Sequence, residues 1–174
     1  MLSEEFVREL ARLAPDGDVA GYSAGFRYRV RGYALRRSIY PPRIVLCRRE
    51  RARFRQDGHT QRLEVIGGVA HLVNRVDHDD RKSLAHWVVA QDRYAQLERA
   101  KLLTMPCSEL AGADRWRARG PLAPIAVFLH CLFVKGLILQ GLPGWYYTYQ
   151  RAMAELLLAL YVIEDRLVKR GAPR

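Results

Sequence analysis

A chain of 174 residues with 49% hydrophobic side chains is long enough to bury a core and needs to form only one domain. Its formal net charge of +11 predicts an anionic partner. The cysteines, Cys47, Cys107 and Cys131, are odd in number, widely spaced and without a C-x-x-C pair, which argues against a disulfide framework and for reduced thiols in a cytoplasmic compartment.

The N-terminal segment predicts a helix over residues 3 to 13. Ser3 is a suitable N-cap, and two glutamates follow it at the positive end of the helix. Phe6, Leu10 and Leu13 recur at helical spacing and predict the buried face. Because this segment is acidic and amphipathic, we do not interpret it as a signal peptide.

The next segment predicts strands with a high density of positive charge. Alternation predicts one strand over 20–31, and two more are predicted at 43–48 and 51–55. The shared face of the first strand carries Tyr22, Phe26, Tyr28 and Val30. Between Arg27 and Arg55 lie eleven arginines and one acid, a net charge of +10. Such a segment attracts the phosphates of nucleic acid, anionic lipid headgroups or a nucleotide diphosphate.

The pattern then changes from strands to a helix. LEVI at 63–66, the turn "GG" and residues 69–76 predict a hairpin. Ser83 is the predicted N-cap of a helix that continues to about Leu103. The predicted apolar stripe of this helix consists of Leu84, Trp87, Val88, Tyr94 and Leu97.

The C-terminal third contains two strongly apolar segments, at 121–139 and 145–168, after a polar connection. The first is about long enough to span a bilayer. However, charged side chains interrupt both segments, so we favour packed or interfacial helices over a transmembrane hairpin. The interrupting residues are His130, Lys135, Arg151 and Glu155.

The stretch VDHDDRKSLAHW, residues 76–87, groups histidines with acids and suggests a metal site at first. The spacing does not favour one, since adjacent aspartates point in different directions and His86 has no partner at i+4. Acids before a helix N-terminus are favoured by the helix dipole without a metal. Arg81 and Lys82 oppose that effect, and binding of a phosphate or a sugar carboxylate would explain them.

Taken together, the segments resemble the C-terminal part of bacterial family-2 glycosyltransferases that build lipopolysaccharide core and other envelope glycans. LSEEFVRELARL is similar to the helix that follows the metal-binding D-x-D of that family, and the strand opening "GY" follows it. The later segments that resemble family motifs are RRSIYPPRIVLCRR, QDGHTQRLEVIGG, HDDRKSLAHWVVAQDRYAQLERA and PLAPIAVFLHCLFVKGLILQGLPGWYYTYQRAMAE.

The resemblance implies an α+β fold: the second half of a GT-A nucleotide-sugar fold, with a short mixed or antiparallel sheet and a C-terminal helical extension. It implies a glycosyltransferase-like domain over 1–104, a linker over 105–120 and an apolar helical hairpin over 121–174. The implied activity is sugar transfer from a nucleotide-sugar to an envelope glycan or lipid-linked acceptor. The implied location is the cytoplasm or the inner face of the plasma membrane.

Two departures from the family pattern qualify this expectation. The position of the family's D-x-D, which holds Mg²⁺ or Mn²⁺, lies before Met1, so we expect an acceptor-side fragment with no cofactor of its own and little or no transfer activity alone. In addition, Thr60 stands where the family has a glutamate after its histidine, and Gln140 replaces an aspartate.

Inverting sugar transfer requires a base within hydrogen-bond reach of the acceptor hydroxyl. Asp57 and His59 are the candidate catalytic residues, since both lie in a predicted loop and histidine titrates near neutral pH. Hydrogen bonding of the loop to its own backbone is the structural alternative. The candidate substrate-binding residues are Thr60, His78, Asp79, Asp80, Arg81, Lys82 and Trp87, and the candidate anion-facing residues are Arg36, Arg37, Arg48 and Arg49. No metal ligand is predicted.

Two other functions remain open from the sequence. The basic segment between Arg27 and Arg55 is compatible with nucleic-acid binding, although no helix-turn-helix, RNP or zinc signature accompanies it. The apolar residues between 121 and 168 are compatible with a peripheral membrane or assembly protein.

Overall fold

The computed structural model of the chain describes residues 2–14, 16–119 and 121–171. The fold is α+β, with most strands in the first half of the chain and helices in the second. The strands are β1 (Val19–Ala24), β2 (Phe26–Val30), β3 (Tyr33–Ala34), β4 (Arg43–Cys47), β5 (Ala52–Asp57), β6 (Thr60–Val65), β7 (Gly68–His71) and β8 (Val76–Asp79). The helices are α1 (Glu4–Ala11), α2 (Leu84–Thr104), α3 (Gly112–Arg119), α4 (Ala123–Leu129) and α5 (Gly141–Lys169).

Two compact units divide the chain. The first unit is Met1–Gln56 with Gln61–Arg81, and the second unit is Asp57–Thr60 with Lys82–Arg174. The tip of the β5–β6 hairpin therefore belongs to the second unit.

The first unit contains two small mixed sheets. Strand β1 is central in one sheet, antiparallel to β4 and parallel to β7. Strand β2 is central in the other, antiparallel to β3 and parallel to β8. Mixed pairing of this kind confirms the expectation of a short mixed sheet.

Helix α1 confirms the predicted N-terminal helix and its buried face. Ser3 Oγ accepts a hydrogen bond from Phe6 N at 3.2 Å, which satisfies one of the free amides at the helix start. Phe6 is buried with Ala24 and Leu72, and the surrounding partly buried side chains include Leu10, Leu13, Tyr22 and Val76.

The prediction of one continuous strand over 20–31 is wrong, because the chain breaks at Gly25 into β1 and β2. The Gly25 carbonyl accepts a hydrogen bond from Val76 N at 3.0 Å, which is where the pairing of β2 with β8 begins. Tyr22 therefore lies in a different sheet from Phe26, Tyr28 and Val30.

The predicted hairpin around Gly67 and Gly68 is also wrong. Strand β6 pairs with β5, while β7 runs parallel to β1. Gly67 has φ +130°, and a Cβ built on it would lie 2.9 Å from the Cβ of Ala20. This close approach to β1 explains the glycine, since the chain leaves β6 here to join the other sheet.

The second unit is helical, and α5 is its central element. Helix α2, helix α4 and helix α3 all contact α5. A π-helical turn (His130–Val134) and a 3₁₀ turn (Leu137–Gln140) connect α4 to α5. The buried apolar residues here include Ala95, Leu110, Cys131, Leu132, Leu137, Tyr147, Leu158 and Ala159.

Helix α2 begins after Ser83 as predicted, but its predicted apolar stripe is not its buried face. Ser83 Oγ accepts from His86 N at 3.2 Å. Leu84, Tyr94 and Leu97 are exposed, and Ala95 is the buried residue of the helix. Polar contacts to α5 replace the stripe, among them a hydrogen bond from Tyr161 Oη to Asp92 Oδ1 at 2.5 Å.

The C-terminal elements also differ in detail from expectation. The predicted polar connection contains α3, and α5 begins at Gly141, four residues before the predicted apolar segment. Among the described helices, none by itself combines the length and the hydropathy that a bilayer span requires. Ala123–Val134 and Leu137–Lys169 reach that length and hydropathy only together, as a pair bent by 66°.

Candidate functional site

The predicted catalytic loop forms the tip of the β5–β6 hairpin. Gly58 has φ +58°, a left-handed conformation that favours glycine at this turn. Thr60 Oγ1 donates to the carbonyl of Asp57 at 3.0 Å and closes the turn. The next residue after Gly58 is His59, so the turn determines the direction in which the imidazole leaves the chain.

His59 forms a histidine–carboxylate pair with Glu98 of α2. Both the backbone N of His59, at 3.0 Å, and its Nδ1, at 2.5 Å, contact Glu98 Oε1. The ring also lies over Tyr94, with ring centroids 4.8 Å apart. Two contacts from one helix thus hold the imidazole, one at its edge and one at its face, and a third holds the backbone N–H of His59.

The side chains of His59 and Glu98 differ in exposure, and this difference affects which of them can exchange protons with a bound molecule. The His59 side chain is 37% exposed, whereas that of Glu98 is 13% exposed. Burial opposes ionisation of Glu98, but the hydrogen bonds from His59 outweigh it and hold the pKa of this carboxyl below its usual value. An ionised carboxylate accepts only, so Nδ1 must carry the proton, and Nε2 of the neutral ring keeps its lone pair. This arrangement can accept a proton from a hydroxyl group.

Asp57 is engaged in a separate ion pair. Lys101 of α2 contacts Asp57 Oδ1 and also lies 2.7 Å from Asp114 Oδ2 of α3. Burial lowers the pKa of Lys101, but the two carboxylates outweigh it, so the net direction is upward. With an ammonium group on its carboxylate, Asp57 is less suited than His59 to act as the base.

The ion network continues from α3 to α5. Arg117 contacts Asp114 Oδ1 at 3.0 Å and makes a two-pronged contact with Glu155, at 2.9 and 2.5 Å. Asp114 and Glu155 are buried. Burial opposes the charge on Asp114, and its two cationic partners outweigh burial and lower its pKa. The network therefore provides a fixed polar support beneath the hairpin tip.

The predicted substrate-binding residues near His78 lie in the first unit. His78 contacts the ring of Tyr28 at 4.9 Å, and Tyr28 stacks on Tyr40 at 4.7 Å. Asp79 Oδ1 accepts from Gly32 N at 3.2 Å, and Asp79 Oδ2 contacts Arg81 Nε at 2.8 Å. The hydrogen bond from Arg81 is the main cause of the lowered pKa of Asp79.

The remaining predicted residues have simpler surroundings. Asp80 and Lys82 are exposed, and Trp87 is half-buried on α2. Arg36, Arg37 and Arg49 are exposed. Arg48 is exposed too, but its guanidinium donates to the carbonyl oxygens of Val19, at 2.9 Å, and Asp16, at 3.3 Å. Arg48 thus joins β1 to the loop before it, and its role as an anion-facing residue stays a prediction.

Sequence reasoning missed Glu98 and Tyr94, although a signal for them exists. Tyr94, Glu98 and Lys101 follow one another at i, i+4 and i+7, which places them on one face of a helix. All three contact the hairpin tip. Across residues 2–14, 16–119 and 121–171, no group of three or more histidine, cysteine or acidic side chains is arranged to hold a metal ion.

We compared the chain with models of known protein families, with curated proteins and with solved structures, and found no match.

Proposed function

We propose that the chain is the acceptor-side part of a sugar transferase of the family-2 glycosyltransferase type. In this proposal, His59, oriented by Glu98, is the base for an acceptor hydroxyl of an envelope glycan or lipid-linked sugar. The contact between His59 Nδ1 and Glu98 Oε1 carries the proposal. The proposal also includes a GT-A type of fold and a nucleotide-sugar donor, and the order of the sequence motifs supports these two parts.

The chemistry of the proposed step is a single displacement. The acceptor O–H gives its proton to Nε2 of His59 while its oxygen bonds to the anomeric carbon of the donor sugar. The bond from that carbon to the diphosphate breaks, and the nucleoside diphosphate leaves with the electron pair. Glu98 stabilises the imidazolium that forms, because its carboxylate remains ionised beside Nδ1.

The position of the carboxylate supports this interpretation. In the family pattern a glutamate directly follows the histidine, and this chain has Thr60 there. Glu98 reaches the histidine from α2 and places a carboxylate next to the ring from another part of the chain. Tyr94 adds an aromatic face beside the imidazole, a surface of the kind on which sugar rings pack.

Nuclear magnetic resonance can test the proposal on the 174-residue chain. We would titrate the labelled chain with oligosaccharides from bacterial envelopes and follow the His59 ring and the amides of residues 57–60. Saturable shifts at these positions, weakened about tenfold or more in His59→Ala, are expected. A matched control is His86→Ala, an exposed histidine at the start of α2.

Two results would contradict the proposal. One is the absence of binding across the glycan panel. The other is glycan binding of equal strength in the chain with and without the His59→Ala substitution, since the acceptor would then occupy another surface.

A further inference from the structure

Helix α4 and the π-helical turn after it present apolar residues that no described part of the second unit covers. Ile125, Leu129 and Phe133 recur at a spacing of four residues and are all exposed. Other apolar residues of the same segment, Ala123, Cys131 and Leu132, are buried. The segment therefore carries more apolar surface than its packing within the second unit covers.

The most exposed leucines follow directly, where the chain bends into α5. Leu139 is 88% exposed and Leu142 is 85% exposed. We name six residues the apolar rim: Ile125, Leu129, Phe133, Val134, Leu139 and Leu142. The segment that carries it satisfies the length and composition of a membrane span only as a pair bent by 66°. That geometry fits entry into one leaflet better than a crossing of the bilayer.

Aromatic and basic side chains accompany the rim. Phe128, Trp145 and Tyr149 form a ring cluster with centroid distances of 5.7 to 6.4 Å. Tryptophan and tyrosine are enriched where hydrocarbon meets headgroups, since one end of each ring system is apolar and the other polar. Lys135 lies at the bend itself, and a lysine there can keep its ammonium among phosphates while its stem stays in apolar surroundings.

The net charge of the chain favours a membrane over a second copy of the chain as the partner of the apolar rim. Each copy carries a formal net charge of +11, so two copies repel each other, whereas an anionic lipid surface attracts the chain. We propose that the apolar rim docks into one leaflet of a membrane that contains anionic lipids. This inference does not depend on the proposed sugar transfer.

Vesicle co-sedimentation of the full chain tests this proposal. We compare vesicles of phosphatidylcholine alone with vesicles that also contain phosphatidylglycerol, and we expect stronger retention on the second. The double variant Leu139→Ser with Leu142→Ser should bind anionic vesicles at least about tenfold more weakly, since two leucine side chains no longer leave water for hydrocarbon. The matched control replaces Val89 and Leu103, two exposed apolar residues of α2, by serine and should bind like the unsubstituted chain.

Hydrogen exchange of the unsubstituted chain gives a readout that needs no variant. Residues 133–142 should exchange more slowly when anionic vesicles are added. Absence of that protection, equal retention on both vesicle types, or equal losses in the two double variants would overturn the proposal. Dimerisation in solution that the rim variant abolishes, without vesicle binding, would assign the face to a second copy and would overturn it as well.

Discussion

At the scale of single residues, Gly58 and His59 have different roles in the same turn. Gly58 provides the left-handed backbone that turns β5 into β6. His59 then reaches α2, where its ring lies between a carboxylate and an aromatic face. The function proposed for His59 therefore depends on the conformation of a residue that has no side chain.

The contact with Glu98 predicts the tautomer of His59. The neutral ring should carry its proton on Nδ1, because the ionised carboxylate of Glu98 can only accept a hydrogen bond. In Glu98→Ala we expect a shift of the population toward the tautomer with the proton on Nε2, visible in the nitrogen chemical shifts of the ring. Glu164→Ala, at an exposed glutamate of α5, should leave those shifts unchanged. A ring with its proton on Nε2 in the unsubstituted chain would contradict the arrangement.

Gly58→Ala should destabilise the protein and disturb the site together. A Cβ at Gly58 would collide with the carboxylate of Glu98, and φ +58° is itself unfavourable for alanine. We expect a loss of about 1 to 3 kcal/mol in the free energy of unfolding, measured with urea. Gly112→Ala is the control, because no atom lies within 4 Å of a Cβ there, and it should change the stability by less than about 0.5 kcal/mol. Equal stabilities of the two variants would refute the turn geometry.

At the scale of elements, α2 supports the hairpin tip and packs on α5 through polar contacts. Its face with Tyr94, Glu98 and Lys101 contacts the hairpin tip, and Arg99 pairs with Asp165 of α5. This explains why an apolar stripe did not predict its orientation.

The buried ion network around Asp114 makes the free energy of unfolding depend on pH. The folded-state pKa of Asp114 lies below 3.8, so its contribution is fully present above that value and is lost as the pH falls through the lower folded pKa. We expect Asp114→Asn to lower the free energy of unfolding at neutral pH by about 3 kcal/mol. Between neutral and acidic pH, the free energy of unfolding of this variant should fall less than that of the unsubstituted chain, measured by urea unfolding at several pH values.

Asp165→Asn is the comparison, since that carboxylate is less buried and is paired with Arg99 at the edge of the helix pair. It should cost no more than about 1 kcal/mol. The assignment of Asp114 to a buried network fails if both variants lose the same stability and keep the same dependence on pH.

At the scale of the whole molecule, the charge of +11 is not simply an open cationic surface. Arg29 is held by Asp77 in β8, at 2.8 Å. Arg48 and Arg51 donate to backbone carbonyls of Val19 in β1 and of the loop before β1. Part of the basic segment between Arg27 and Arg55 thus stabilises the first unit, which weakens the case for nucleic-acid binding without removing the attraction to anionic surfaces.

This distribution predicts a shallow salt dependence for any retention on DNA. If all eleven arginines between 27 and 55 neutralised phosphates, log K would fall with log salt at a slope of about −10. We expect a slope no steeper than about −5, measured by binding at several salt concentrations, because several guanidinium groups have intramolecular partners. Arg49→Ala should reduce the slope more than Arg48→Ala. A slope near −10 would support the nucleic-acid alternative.

Local sequence patterns are sufficient for the features that depend on neighbours in the chain. The cap at Ser3, the buried face through Phe6 and the start of α2 at Ser83 all follow from such patterns. The hairpin tip at Gly58 and His59 was identified as a loop for the same reason. Helix caps and helix faces need only residues within a few positions of one another.

Which segments meet depends on how the whole chain packs. Gly67 leads to β1 and not into a local hairpin, because the β7 backbone finds its hydrogen-bond partners nearly fifty residues away in the chain. Glu98 lies 39 residues from His59, and helical spacing indicates a common face for Tyr94, Glu98 and Lys101 but not what that face contacts. Long-range pairing and the burial of charged partners are properties of the packed chain. Because of them, a polar face of α2 contacts the candidate base.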